Sequence, residues 1–140
     1  NADYVEMLYN TMMGRKSDAA GKAAWVKQLD NGCTRLGVMA GFVGSDEFSK
    51  ICASYGIQRG TITSTAVTDQ NPDVTAFVCR MYTVVLGRNY DPNGLDAWTA
   101  KLLESWLVRL NAGDSRDRIL DGFIYSIEYG ELCTSYGINR

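Results

Sequence analysis

"GRKSDAAGKAAW" occupies Gly14–Trp25, and "GRNYDPNGLDAW" occupies Gly87–Trp98. The two stretches share Gly, Arg, Asp, Gly, Ala and Trp in the same register. Reading outward at the same offset, Val5 pairs with Val78, Tyr9 with Tyr82 and Leu29 with Leu102. Beyond Leu29 the second copy is eight residues longer, and the pairing resumes. Gly32 meets Gly113, Arg35 meets Arg116, Gly41-Phe42 meets Gly122-Phe123, and Ser45, Glu47 and Cys52 meet Ser126, Glu128 and Cys133. "SYGI" recurs after each. The period is too long for the common short solenoid repeats, so each copy reads as a small domain-like half.

Within each half the apolar residues recur at helical spacing. Val5, Leu8, Tyr9, Met12 and Met13 form one stripe, repeated by Val78, Met81, Tyr82, Val85 and Leu86. A second helix follows Asp18 or Asp91, with Pro92 at a first helical position where its missing N–H costs nothing. A third follows Thr34 or Ser115. A fourth follows Ser45 or Ser126, with Glu47 or Glu128 in the first turn, where the helix dipole favours a carboxylate. Its stripe is Phe48, Ile51, Cys52 and Tyr55, copied by Tyr129, Leu132, Cys133 and Tyr136, and Gly56 or Gly137 stops it. The expected fold is all-α: two tandem four-helix units, residues 1–57 and 74–140, joined by an extended linker over 58–73 with room for a short strand.

Composition narrows the function. The chain has 140 residues, 46% of them apolar, and a net charge of −2 with both signs scattered. A chain of this size buries roughly 70% of its unfolded surface and needs no metal to fold. No basic block exists to follow phosphates, so nucleic acid is not an expected partner. No apolar run approaches the ~20 residues of a membrane span, so no membrane insertion is expected. There is no histidine, which removes Ser-His and Cys-His nucleophile pairs and His-containing zinc sites. "DPNG" at Asp91–Gly94 lacks the later ligands of a calcium loop. No metal and no cofactor is expected, nor an enzyme. The chain begins at Asn1 with no initiator methionine or leader, and reads as a piece cut from a longer protein.

The repeated phrase G-R-x-x-D-x-x-G-x-x-x-W has two readings. As a joint, Gly ends one helix, Asp caps the next, the second Gly permits close packing, and Trp anchors the core. Arg15 and Arg88 then bridge to Asp18 and Asp91, or to Glu47 and Glu128. As a site, an Arg between two carboxylates binds an anion or calcium. Capping chemistry accounts for every residue type, which favours the joint. With R-x-x-[VI]-x-x-G-F-[VI]-x-S-x-E-[FY] at Arg35–Phe48 and Arg116–Tyr129, the pattern resembles the family known as domain of unknown function 4214. The resemblance covers both halves. "MMGR" stands in the first copy where the family usually has "LGR". The resemblance implies a secreted or cell-wall-attached bacterial building block, often used in tandem beside other binding modules, with no known catalytic residues.

An extracellular setting favours disulfides. The four cysteines allow three pairings. Cys52–Cys79, stapling the halves across the linker, is the expected bridge, with Cys33 and Cys133 left over; buried thiols at Cys52 and Cys133 are the alternative.

Positions that differ between the copies are free to carry recognition. Tyr90 replaces Ser17, and Tyr125 replaces Gly44. The longer second helix of copy two adds Trp106 and Arg109, with Trp98 and Trp106 competing for one core slot, and "DSRDRILD" adds Arg118. Aromatic residues with arginine are the usual anchors of protein interfaces. These five residues are therefore the candidate ligand-binding set. The expected function is a protein-binding module whose partner is a host or bacterial surface protein, immunoglobulin being one candidate. A carbohydrate-binding module and a passive spacer repeat are the alternatives.

Overall fold

The computed structural model describes residues 1–109 and 125–137, with side chains for all of these except 105–109. The described residues are all-α, with eight helices and no strand. Helix α1 (Ala2–Leu8) runs on into a π turn (Tyr9–Met13). It is followed by α2 (Ala19–Asp30), α3 (Arg35–Gly44), α4 (Asp46–Ser54) and the short α5 (Val67–Gln70). Helix α6 (Pro72–Arg80) again runs into a π turn (Met81–Val85), before α7 (Pro92–Arg109) and α8 (Ile127–Ser135). The chain divides into two compact units, Asn1–Pro72 and Asp73–Arg140. The third helix expected after Ser115 lies outside the described residues.

Local chemistry sets these boundaries. The Gly21 and Gly94 amides donate to Asp18 and Asp91, each at 2.7 Å. The Gly37 amide donates to the Thr34 hydroxyl at 3.0 Å, and the Phe48 and Tyr129 amides donate to Ser45 and Ser126 at 3.1 Å. Each cap satisfies a helix-end donor and stabilises its helix by about 1 kcal/mol. The first helix of each unit differs from the simple helix expected. It widens into a π turn and then reverses at Gly14 (φ 63°) or Gly87 (φ 62°), a left-handed conformation that favours glycine. After the reversal the Arg15 amide reaches back to the Tyr9 carbonyl, and the Arg88 amide to that of Tyr82.

The first unit packs Val5, Leu8, Tyr9, Leu29, Val38 and Phe42 into one cluster, with Trp25 against it. Phe42 is 1% exposed, with the Tyr9 ring edge-on at 5.0 Å and the Trp25 ring at 5.1 Å. Gly41 lets the Trp25 ring lie directly on α3; a Cβ there would stand 2.6 Å from a ring carbon. The second unit packs Val74, Val78, Cys79, Tyr82, Leu86, Leu95 and Leu102, with Trp98, Tyr90 and Tyr129 partly buried against them. Thr99 is fully buried there, and its hydroxyl has no partner among the described residues. Val26 holds the matching place in the first copy.

Two expectations are corrected. The segment 58–73 is not extended throughout: Val67–Gln70 form a helical turn, and Thr68 is buried. Its polar side chains explain this, because Asp69 finds hydrogen-bond donors on the first unit. The expected Cys52–Cys79 bridge is absent, and all four cysteines are thiols. Cys79 is committed to the core of the second unit, where burial pushes its thiol up to about 11. The Cys33 thiol donates to the Thr68 carbonyl at 3.4 Å. Cys133 is buried in its own unit, and Cys52 is half-buried on α4.

Candidate functional site

The repeated arginines, acids and tyrosines assemble the same cluster in both units. In the first, the Arg15 guanidinium lies 4.9 Å from the centre of the Tyr9 ring. It donates from Nε and Nη2 to the two oxygens of Glu47 at 2.6 and 2.8 Å, and from Nη1 to the Lys16 carbonyl. Asp18 stands 3.6 Å away. In the second unit Arg88 lies 4.8 Å from the Tyr82 ring centre and donates to Glu128 through Nε and Nη2, to the Asn89 carbonyl, and to Asp91 at 3.4 Å. Bidentate pairing fixes distance and angle together. Each cluster therefore clasps the loop after the first helix to the start of the last one, α4 or α8.

Electrostatics agree with a clasp. The Gly21 amide, more than the Arg15 charge, holds Asp18 below the usual carboxylate range, and the arginine hydrogen bonds hold Glu47 and Glu128 there. Burial raises the Tyr9 and Tyr82 phenols above their ordinary range. The tyrosine hydroxyls approach the second helix so closely that a Cβ at Gly21 or Gly94 would collide with them. The Arg15 and Arg88 donors that face carboxylates are engaged within the clusters. Among the described residues no group of three or more Cys, Asp or Glu is placed to hold a metal ion. None of the helices described is long and apolar enough to cross a membrane.

Beside the first clasp sits a second polar group that the motif reading missed. The Glu6 carboxylate accepts from the Lys22 ammonium at 2.8 Å, and from the hydroxyl and amide of Ser17. The offset that aligns the copies puts Cys79, Tyr90 and Leu95 at these three places. An ion pair with its hydroxyl donor is thus exchanged as a set for an apolar trio in one cluster. This explains both the lone Cys79 and the Tyr90 substitution, and it was open to reading from the alignment alone. Tyr90 packs on the core of its unit.

The exchange gives the units different acid responses. The Lys22 hydrogen bond, helped by Ser17, lowers the Glu6 carboxyl to about 2. A carboxyl lowered in the folded state stabilises above its unfolded pKa and loses that contribution as pH falls through the folded one. The difference in urea midpoint between native protein and Glu6→Gln is therefore expected in full at pH 6. It should shrink as pH drops from about 4.5 towards about 2. A difference that stays constant across that window would show that the carboxylate is not stabilised by its partners.

Of the remaining candidate residues, Tyr125 is exposed just ahead of α8. Trp98 packs on the core, with the Lys101 amine 5.0 Å from its ring centre. Arg118 lies outside the described residues, as do the side chains of Trp106 and Arg109 on α7. The structure adds two residues that the sequence reading passed over. Val84, Tyr125 and Ile127 are 76%, 68% and 82% exposed, where the first copy has Thr11, Gly44 and Asp46. Val84 lies four residues before Arg88, ahead of the reversal at Gly87, and Tyr125 and Ile127 lie just before Glu128. The Arg88–Glu128 pair ties the loop that follows Val84 to the segment that carries Tyr125 and Ile127. A shallow cleft of about 380 Å³ is lined by Thr83, Gly87, Arg88 and Asn89.

Two comparisons return nothing: no curated protein and no solved structure matches the chain. A family model described as "Domain of unknown function (DUF4214)" matches residues 1–52 and 61–133, which together make up most of both units.

Proposed function

From the premise that the chain belongs to the domain of unknown function 4214 family, we propose that it is a non-catalytic protein-binding module of a bacterial cell-surface or secreted protein. The observation that carries this reading is the apolar surface of Val84, Tyr125 and Ile127. It occurs only in the second unit, at positions where the first copy is polar or has no side chain. Large apolar residues left exposed in one unit favour contact with another protein. The exposed charges of the Arg88 clasp supply a polar rim. The partner is a host or bacterial surface protein, with immunoglobulin as the first to try. The reading assigns no catalytic role to any residue.

The test is a pull-down with the whole chain, followed by surface plasmon resonance on purified immunoglobulin and on any captured protein. The key variant carries the residues of the first copy: Val84→Thr, Tyr125→Gly and Ile127→Asp. An aspartate at the first position of α8 suits the helix dipole, so the fold is expected to stand. Binding is expected to weaken at least tenfold. Unchanged affinity in the triple variant sinks the surface. Binding confined to a glycan array sinks the protein-partner reading in favour of a carbohydrate module.

A further inference from the structure

The segment Ser64–Gln70 closes over the junction between α2 and α3 of the first unit. Asp69 is its anchor. Its carboxylate accepts from the Thr34 amide at 2.7 Å, from the Thr34 hydroxyl and from the Ser64 hydroxyl. It thereby caps α3 from outside that helix, in addition to Thr34. One residue earlier, the Thr68 carbonyl accepts from the buried Cys33 thiol. Gly37 makes room for the carboxylate, since a Cβ at that position would collide with it. None of these contacts belongs to the apolar core. The cluster of Val5, Leu8, Tyr9, Leu29, Val38 and Phe42, and the residues packed on it, contains nothing from 58–71.

We propose that Ser64–Gln70 is a releasable latch that opens while the core of the first unit stays folded. These anchors are polar and part-buried, outside the apolar core, and such contacts open at lower free energy than a packed core, so the latch is a separate unit of opening. A four-residue helix has too few internal hydrogen bonds to persist without its docking contacts. Closed, the latch pins the chain to the first unit up to the start of α6. Open, it releases residues 58–70, roughly 45 Å of contour when fully extended, and uncovers Cys33. The device lengthens the free chain between α4 and α6 when it opens.

Cys33 reports on the latch. Native protein, Asp69→Ala and Gly37→Ala are treated with iodoacetamide, and labelling of the Cys33 peptide is followed by mass spectrometry. Amide hydrogen exchange at Val5, Leu8 and Phe42 is followed in parallel. Asp69→Ala removes the anchor, and Gly37→Ala displaces it with every polar group retained. Each is expected to raise Cys33 labelling at least tenfold while the three core amides keep their protection. Labelling within twofold of native in either folded variant overturns the proposal. So does a rise that comes with loss of core protection in both variants, because the segment would then be part of the core's cooperative unit.

Discussion

Cys79→Glu is expected to destabilise the second unit by about 3–5 kcal/mol, the usual consequence of leaving a charge buried without its partner. Cys79 is 6% exposed in an apolar cluster with Leu95 and Tyr90, and the cation acting on it is Arg80, whose own side chain is exposed. A carboxyl forced into that cluster has its pKa raised by desolvation. The loss should therefore grow as pH rises above about 4.5, where the unfolded chain ionises and the folded one resists. The triple change Cys79→Glu, Tyr90→Ser, Leu95→Lys rebuilds the Glu6–Ser17–Lys22 group in the second unit, and is expected to recover most of the loss. Urea denaturation at pH 5 and pH 8 measures both effects. A single variant with the native midpoint would mean that water reaches position 79. A triple variant weaker than the single one would mean that the two groups are not structural equivalents.

The other large effect belongs to the first unit. Phe42→Ala is expected to cost about 3–5 kcal/mol through lost burial and the cavity left behind. Phe42 is the largest of the fully buried side chains, and it is the ring on which Tyr9 and Trp25 converge. Aromatic pairing adds about 0.5–1.5 kcal/mol beyond area. Collapse is restricted, because Gly41 already lets Trp25 lie directly on α3. Hydrogen exchange is the suitable measurement. The amides of Val5 and Leu8 should lose protection by two to three orders of magnitude, and those of Val78 and Tyr82 should keep theirs. Phe42→Leu is expected to cost far less, about 1–2 kcal/mol. Equal losses at Val5 and Val78 would show that the two units unfold as one.

The internal repeat made most of the fold legible from sequence. Asp18, Thr34, Ser45, Asp91 and Ser126 act on amides three residues away, so their role follows from order along the chain. Helix stripes and glycine stops are equally local. The Arg15–Glu47 and Arg88–Glu128 pairs were among the options open to reading because both partners recur in each copy. The Cys52–Cys79 bridge failed for a reason that spacing does not contain. Cys79 is one member of a three-residue exchange, and its meaning lies in the Glu6, Ser17 and Lys22 that it replaces together with Tyr90 and Leu95.

What the sequence by itself determined is what short-range chemistry controls: helical class, the capped helix starts, duplication and family. Tertiary structure alone decided which side chains share a site. Asp69 caps a helix that starts far upstream, and Arg88 pairs with Glu128 forty residues on. The physical reason is that a hydrogen bond or an apolar contact depends on distance in space, and beyond a few residues sequence separation no longer fixes that distance.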